Sequence, residues 1–98
     1  MNQYRDFTRE ICKVKGWDNL PVDTVWLLFT EEIGELASAI RHRQRRFTKN
    51  GHGRHRDEVQ NEMGDVFSYL FQLASLLDVD LDKMWMEHLH KVRYKVYA

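Results

Sequence analysis

The chain has one cysteine, one proline and no excess of charge of either sign. Cys12 alone cannot close a disulfide and Cys-based zinc spacings are missing, so neither a disulfide framework nor a cysteine zinc site can hold the fold. The thiol is expected to pack as a small apolar side chain. Long apolar runs are missing too: the longest, residues 25–29, falls far short of the roughly 18 residues of a transmembrane helix. The opening Met1-Asn2-Gln3-Tyr4-Arg5-Asp6 carries no apolar signal segment, so a cytoplasmic protein with no membrane partner is expected. Fifteen basic residues against fifteen acidic ones cancel, which argues against the field of a typical nucleic-acid binder. What is present, 98 residues of which 43% are hydrophobic and 31% charged, suits one domain over residues 1–98 and excludes a multidomain enzyme. A chain this short buries only about two-thirds of its unfolded surface, so an oligomer is expected.

No stretch alternates apolar and polar residues for long, whereas apolar residues recur at threes and fours throughout. That period predicts an all-α fold of the four-helix-bundle type. The first helix is expected over residues 2–15, with Tyr4, Phe7, Ile11 and Val14 on one stripe, broken by Gly16 and by Pro21 ahead of the next helix. The second, over 22–46, carries Val25, Leu28, Phe29, Leu36 and Ile40 and ends before a glycine-containing loop at 48–53. The third is expected over 57–77 with Val59, Val66, Tyr69, Leu70, Leu73 and Leu77. The fourth, over 81–95, has Asp80 as its N-cap and Met84, Trp85, Leu89 and Val92 along it.

Charge is distributed as acid, base, acid. Residues 41–56 hold seven Lys or Arg, three His and no acid, flanked by Glu31, Glu32 and Glu35 on one side and Asp57, Glu58, Glu62 and Asp65 on the other. Helix dipoles account for basic residues ending one helix and acids opening the next, but not for acids in the middle of helices. At 100° per residue Glu32 and Glu35 fall about 60° apart beside the apolar stripe, and Glu62 and Asp65 repeat the device. Four carboxylates converging on a helical interior repel one another unless cations compensate. Either the two pairs fan out to solvent and to nearby arginines, or they hold a divalent cation. An oxygen-only set suits Mg²⁺, with Mn²⁺ as a substitute, rather than zinc or copper.

The run Glu31-Glu32-Ile33-Gly34-Glu35-Leu36, followed by Glu62-Met63-Gly64-Asp65-Val66, resembles the E-E-x-x-E and E-x-x-D pair of the MazG-like, all-α nucleoside triphosphate pyrophosphohydrolases. Taken together the two halves are specific, and the resemblance extends over residues 17–97. It is closest to the compact branch that includes dCTP pyrophosphatases, in which a tryptophan precedes the first metal-binding glutamate much as Trp17 does here. The resemblance implies Mg²⁺ on Glu32, Glu35, Glu62 and Asp65, catalysis through Glu31, Glu32 and Glu35, and a nucleoside triphosphate split into monophosphate and pyrophosphate. It also implies a homodimer or homotetramer with the site near a subunit interface. Glu31 either orients the attacking water or is a solvent-facing helix residue. Trp17 and Tyr69 either bind the base or belong to the core. Lys91, Arg93 and Lys95 either meet the phosphates or complement a helix C-terminus. The last helix departs from the family's Lys-Asn-Arg arrangement, with Val92 where the asparagine belongs.

Two rivals share the architecture. A carboxylate-bridged di-iron bundle would use Glu87 and His90 as one E-x-x-H, but needs a second such motif that the chain lacks. A non-enzymatic nucleic-acid or protein-binding module would use residues 41–56, which contain a single aromatic, Phe47, and no recognised binding motif.

Overall fold

The computed structural model describes residues 1–46 and 52–97, with side chains at 1–43 and 58–94. It is all-α, as the period of three and four predicts: α1 is Asn2–Lys15, α2 Val22–Arg46, α3 His52–Leu76 and α4 Leu81–Tyr97, with no strand among the described residues. α1 and α2 have the predicted bounds. α3 starts five residues before residue 57, at His52, so part of the loop expected at 48–53 is helical and the rest lies outside the described residues. Even in a helix interior a glycine costs only about 1 kcal/mol, Gly53 sits in the first turn of α3, and extending a formed helix is far easier than nucleating one. No described helix is long and apolar enough to cross a membrane.

The chain forms two compact units, one of Met1–Asn19 with Phe71–Ala98, the other of Leu20–Leu70. In the first, α1 is fastened to the start of α4. The Asn2 side chain donates to Asp80 Oδ1 at 2.9 Å and accepts the Leu81 backbone N–H at 2.7 Å. Arg5 donates to the carbonyl of Val79 at 2.7 Å, and the Met1 ammonium meets Asp82 at 2.7 Å. Asp80 caps α4 by accepting the Lys83 N–H at 3.0 Å. The Asn2 amide first, and the Lys83 N–H second, hold the Asp80 carboxyl below its usual range. Cys12, Leu73, Ala74 and Leu81 are buried in this unit, Cys12 as the expected small apolar side chain. The Tyr4, Phe7, Ile11 and Val14 stripe lies on the expected helix but is exposed, Val14 at 88%. Periodicity identifies a helix face without saying what covers it.

Both turns of this unit use left-handed backbone. Gly16 (φ 73°) ends α1 with Trp17 N–H bonded to Cys12 O at 2.8 Å and Gly16 N–H to Lys13 O at 3.2 Å. Asp78 (φ 55°) ends α3 with Val79 N–H bonded to Ala74 O at 2.9 Å and Asp78 N–H to Ser75 O at 3.4 Å. These are paired 6→1 and 5→2 closures, which favour glycine at the left-handed position. In the second unit, Pro21 precedes α2 and its carbonyl accepts the Val25 N–H at 3.2 Å. Val25 is fully buried, Ala39 and Val59 nearly so, whereas Trp26 stacks on Phe29 with ring centres 5.9 Å apart and stays half exposed.

The left-handed turns make opposite predictions. Gly16→Ala should destabilise the protein by about 1 kcal/mol, and Asp78→Gly should stabilise it by up to about 1 kcal/mol. Urea unfolding of both variants checks this; equal signs would contradict the assigned turn strain.

Candidate metal centre

Glu32 and Glu35 lie one turn apart on α2, and Glu62 and Asp65 repeat the spacing on α3; all four belong to the second unit. One carboxylate oxygen from each of Glu32, Glu35 and Glu62 lies within 4.8 Å of the other two. Glu32 and Glu62 are half-buried and Glu35 is exposed. Oε2 of Glu32 and Oε2 of Glu62 are closed off from solvent and meet no hydrogen-bond donor among the described residues. Leaving a buried acceptor unmatched costs about 1–3 kcal/mol, and more when it is charged. None of the ion pairs among the described residues reaches these acids; they join Met1 to Asp82, Arg5 to Asp6 and Lys13 to Glu10. Asp65 stands outside the tight group of three but is close enough for its charge to act on both Glu32 and Glu62.

The electrostatics follow. Burial first, then the contact and charge of Glu35, then contact with Glu62 and the charge of Asp65, push the Glu32 carboxyl up to about 7. Burial also raises Glu62; proton sharing with Glu32 works the other way, and the charges of Glu35 and Asp65 add to the rise. Without a cation the cluster therefore keeps a proton that isolated carboxylates would have lost. Its donor set fits a hard cation. Oxygens on opposite sides of Mg²⁺ or Mn²⁺ lie roughly 4 Å apart, so separations of 4.8 Å or less need only slight closure, and the two unmatched oxygens are ready acceptors of positive charge.

The other expected residues are dispersed. Glu31 is exposed on α2 and Tyr69 half-buried on α3, in the same unit as the acids. Trp17, Lys91 and Arg93 are exposed and belong to the first unit, Trp17 with Lys15 Nζ 4.9 Å above its ring. Lys95 lies on α4, and its side chain falls outside the described residues, as do most of those in the basic segment 41–56. The E-x-x-H of the di-iron alternative is not drawn into an acid cluster among the described residues: His90 instead meets Tyr94 edge-on at 4.4 Å. Sequence reasoning passed over Gln72, a buried amide whose only signal is a polar residue inside the apolar run Phe71, Leu73, Ala74.

The raised Glu32 carboxyl sets a pH dependence. Between its unfolded value near 4.5 and about 7, the folded metal-free protein holds more protons than the unfolded chain. Stability is then fully present below 4.5 and is lost as pH rises through 7. In chelator, the melting temperature should fall more from pH 5 to pH 8 for the native protein than for Glu32→Gln. Parallel pH profiles would contradict the crowding of these acids.

No curated protein and no solved structure matches the chain. The family model described as MazG nucleotide pyrophosphohydrolase domain matches residues 21–95, a stretch that includes both acidic helices and α4 up to Lys95. With three-quarters of the chain under that match and the paired acids on α2 and α3, the protein belongs to the MazG nucleotide pyrophosphohydrolase domain family.

Proposed function

We propose that the protein hydrolyses a nucleoside triphosphate, of the deoxycytidine or a modified-base kind, to the monophosphate and pyrophosphate with Mg²⁺ as cofactor and Mn²⁺ as its substitute. The observation that carries this reading is the convergence of Glu32, Glu35 and Glu62 with two buried, unmatched oxygens, in a chain of the nucleotide pyrophosphohydrolase family. Glu32, Glu35, Glu62 and Asp65 would hold the cation. When bound, it supplies positive charge against the phosphate oxygens, without which water cannot approach so anionic a centre.

The chain's own residues do the rest. Glu32 and Glu62, desolvated and acceptor-only once ionised, fix where positive charge sits and so where the phosphates lie. Glu31, exposed and adjacent to Glu32, is the proposed acceptor of the proton from the attacking water. Trp17 and Tyr69 are the proposed base contacts, and Lys91, Arg93 and Lys95 the proposed phosphate contacts. A homodimer or homotetramer belongs to the same proposal, supported by the apolar side chains that α2 leaves exposed, Trp26 at 53% and Leu27 at 67% among them.

The test is pyrophosphate release from a panel of canonical and modified dNTPs and NTPs, with Mg²⁺ and with excess chelator. Chelator-sensitive formation of monophosphate and pyrophosphate is expected, strongest for one base. Glu62→Gln and Asp65→Asn should lower turnover at least a hundredfold at unchanged helicity. Full turnover in chelator, or in both variants, would reject the assigned ligands.

A further inference from the structure

α1 carries an apolar face that its own unit leaves uncovered. Tyr4, Phe7, Ile11 and Val14 follow one another at spacings of three, four and three, the a-d-a-d order of a two-heptad coiled-coil seam, and each is more than half exposed. The far side of the helix is the one that docks: Cys12 is buried there, Arg5 donates to Val79 O, and Arg9 donates to Ser75 Oγ at 2.8 Å. Tyr4 also rests against Phe71, ring centres 6.0 Å apart, so the seam begins at a held side chain. Exposure alone does not say what covers such a face; the charges beside it do. With Tyr4 and Ile11 as a and Phe7 and Val14 as d, one edge of the seam carries Gln3 and Glu10 at g, and the other carries Thr8 and Lys15 at e. Two copies of α1 side by side in parallel bring each g position to the e position five residues on: Glu10 meets Lys15 of the second copy, twice over by symmetry, and Gln3 meets its Thr8. An antiparallel pair opposes g to g and e to e, which sets Glu10 against Gln3 and Lys15 against Thr8 and matches no charge. Glu10 and Lys15 are both exposed, and the ion pair of Glu10 with Lys13 is a loose 3.9 Å. Gln3, Asp6, Phe7 and Glu10 line an open depression along the g edge, with room for a lysine side chain arriving from a second copy.

We propose that α1 is a self-recognition helix: two copies of the chain pair α1 with α1 in parallel through Tyr4, Phe7, Ile11 and Val14, and the Glu10–Lys15 pairs set the orientation. Two heptads are short for a free-standing coiled coil, so the contact is weak by itself and gains from each helix being fastened to a folded unit. The seam is separate from the apolar side chains that α2 leaves exposed, uses none of the carboxylates of the metal centre, and stands whether or not the chain hydrolyses nucleotides.

The test is disulfide trapping of the full chain with diamide, in chelator and without nucleotide. Val14→Cys puts a thiol at the most exposed seam position, where a parallel pair sets d against d; Lys13→Cys, off the seam on the same turn, is the control, and the native chain with its buried Cys12 is the blank. Val14→Cys should form covalent dimer about tenfold faster than Lys13→Cys, because only the seam position meets its own copy within disulfide reach. Adding Glu10→Lys or Lys15→Glu to Val14→Cys should slow trapping about fivefold at low salt, and adding both should restore it. Every substituted side chain is exposed, so the variants should keep the native helicity, which circular dichroism checks. Equal trapping at positions 13 and 14 overturns the proposal, as does a double charge exchange that fails to restore the rate. An oligomer held by α2 alone gives that equal trapping while sedimenting as an oligomer, so failure of the seam is told apart from failure of the proposed homodimer or homotetramer.

Discussion

Repulsion among carboxylates is the constraint on which the second unit turns. A helical hairpin that brings Glu32, Glu35 and Glu62 together, with the charge of Asp65 acting on them, places like charges side by side, two of them where burial already disfavours charge, and no described lysine or arginine forms an ion pair with them. Apolar side chains at those positions would make a more stable hairpin. The hairpin holds because Val25, Ala39 and Val59 are buried along it, and because a proton raised on Glu32 stands in for the missing positive charge. A divalent cation does the same without the proton, which links protonation, cation binding and stability through one set of side chains.

The first unit rests on different physics. Its two turns close through left-handed residues, and its helix ends are joined by Asn2, Arg5 and Asp80 rather than by a broad apolar interface. Polar fastening of this kind specifies register, because each bond has one donor and one acceptor at fixed positions. It leaves large side chains such as Phe7 and Ile11 exposed.

Helix type and most boundaries were legible in the sequence. Gly16 and Pro21 bracket the first turn, Asp80 caps the last helix, and an apolar period runs through most of each helix. The start of α3 was not, because Gly51 and Gly53 look like a break and the basic residues after them carry no apolar period, whereas the helix that includes buried Val59 begins at His52. At the metal centre, helical spacing placed each acid pair on one face, and three of the four carboxylates do converge. Spacing within one helix could not reveal that Asp65 stands outside the tight group, since that depends on how two helices are rotated against each other. Nor could it reveal that the buried Gln72 amide donates to the Trp17 carbonyl, more than 50 positions away. Long-range pairing is not written in periodicity.

The claim on which the account depends is that the acids form one cation site, and binding of Mn²⁺ followed by electron paramagnetic resonance tests it without reference to turnover. The account predicts that the free Mn²⁺ signal falls on adding native protein, that Mg²⁺ restores it by competition, and that Glu32→Gln and Glu62→Gln each bind markedly less. Native protein that leaves the signal unchanged at millimolar Mn²⁺, or variants that bind as well as the native chain, would contradict it.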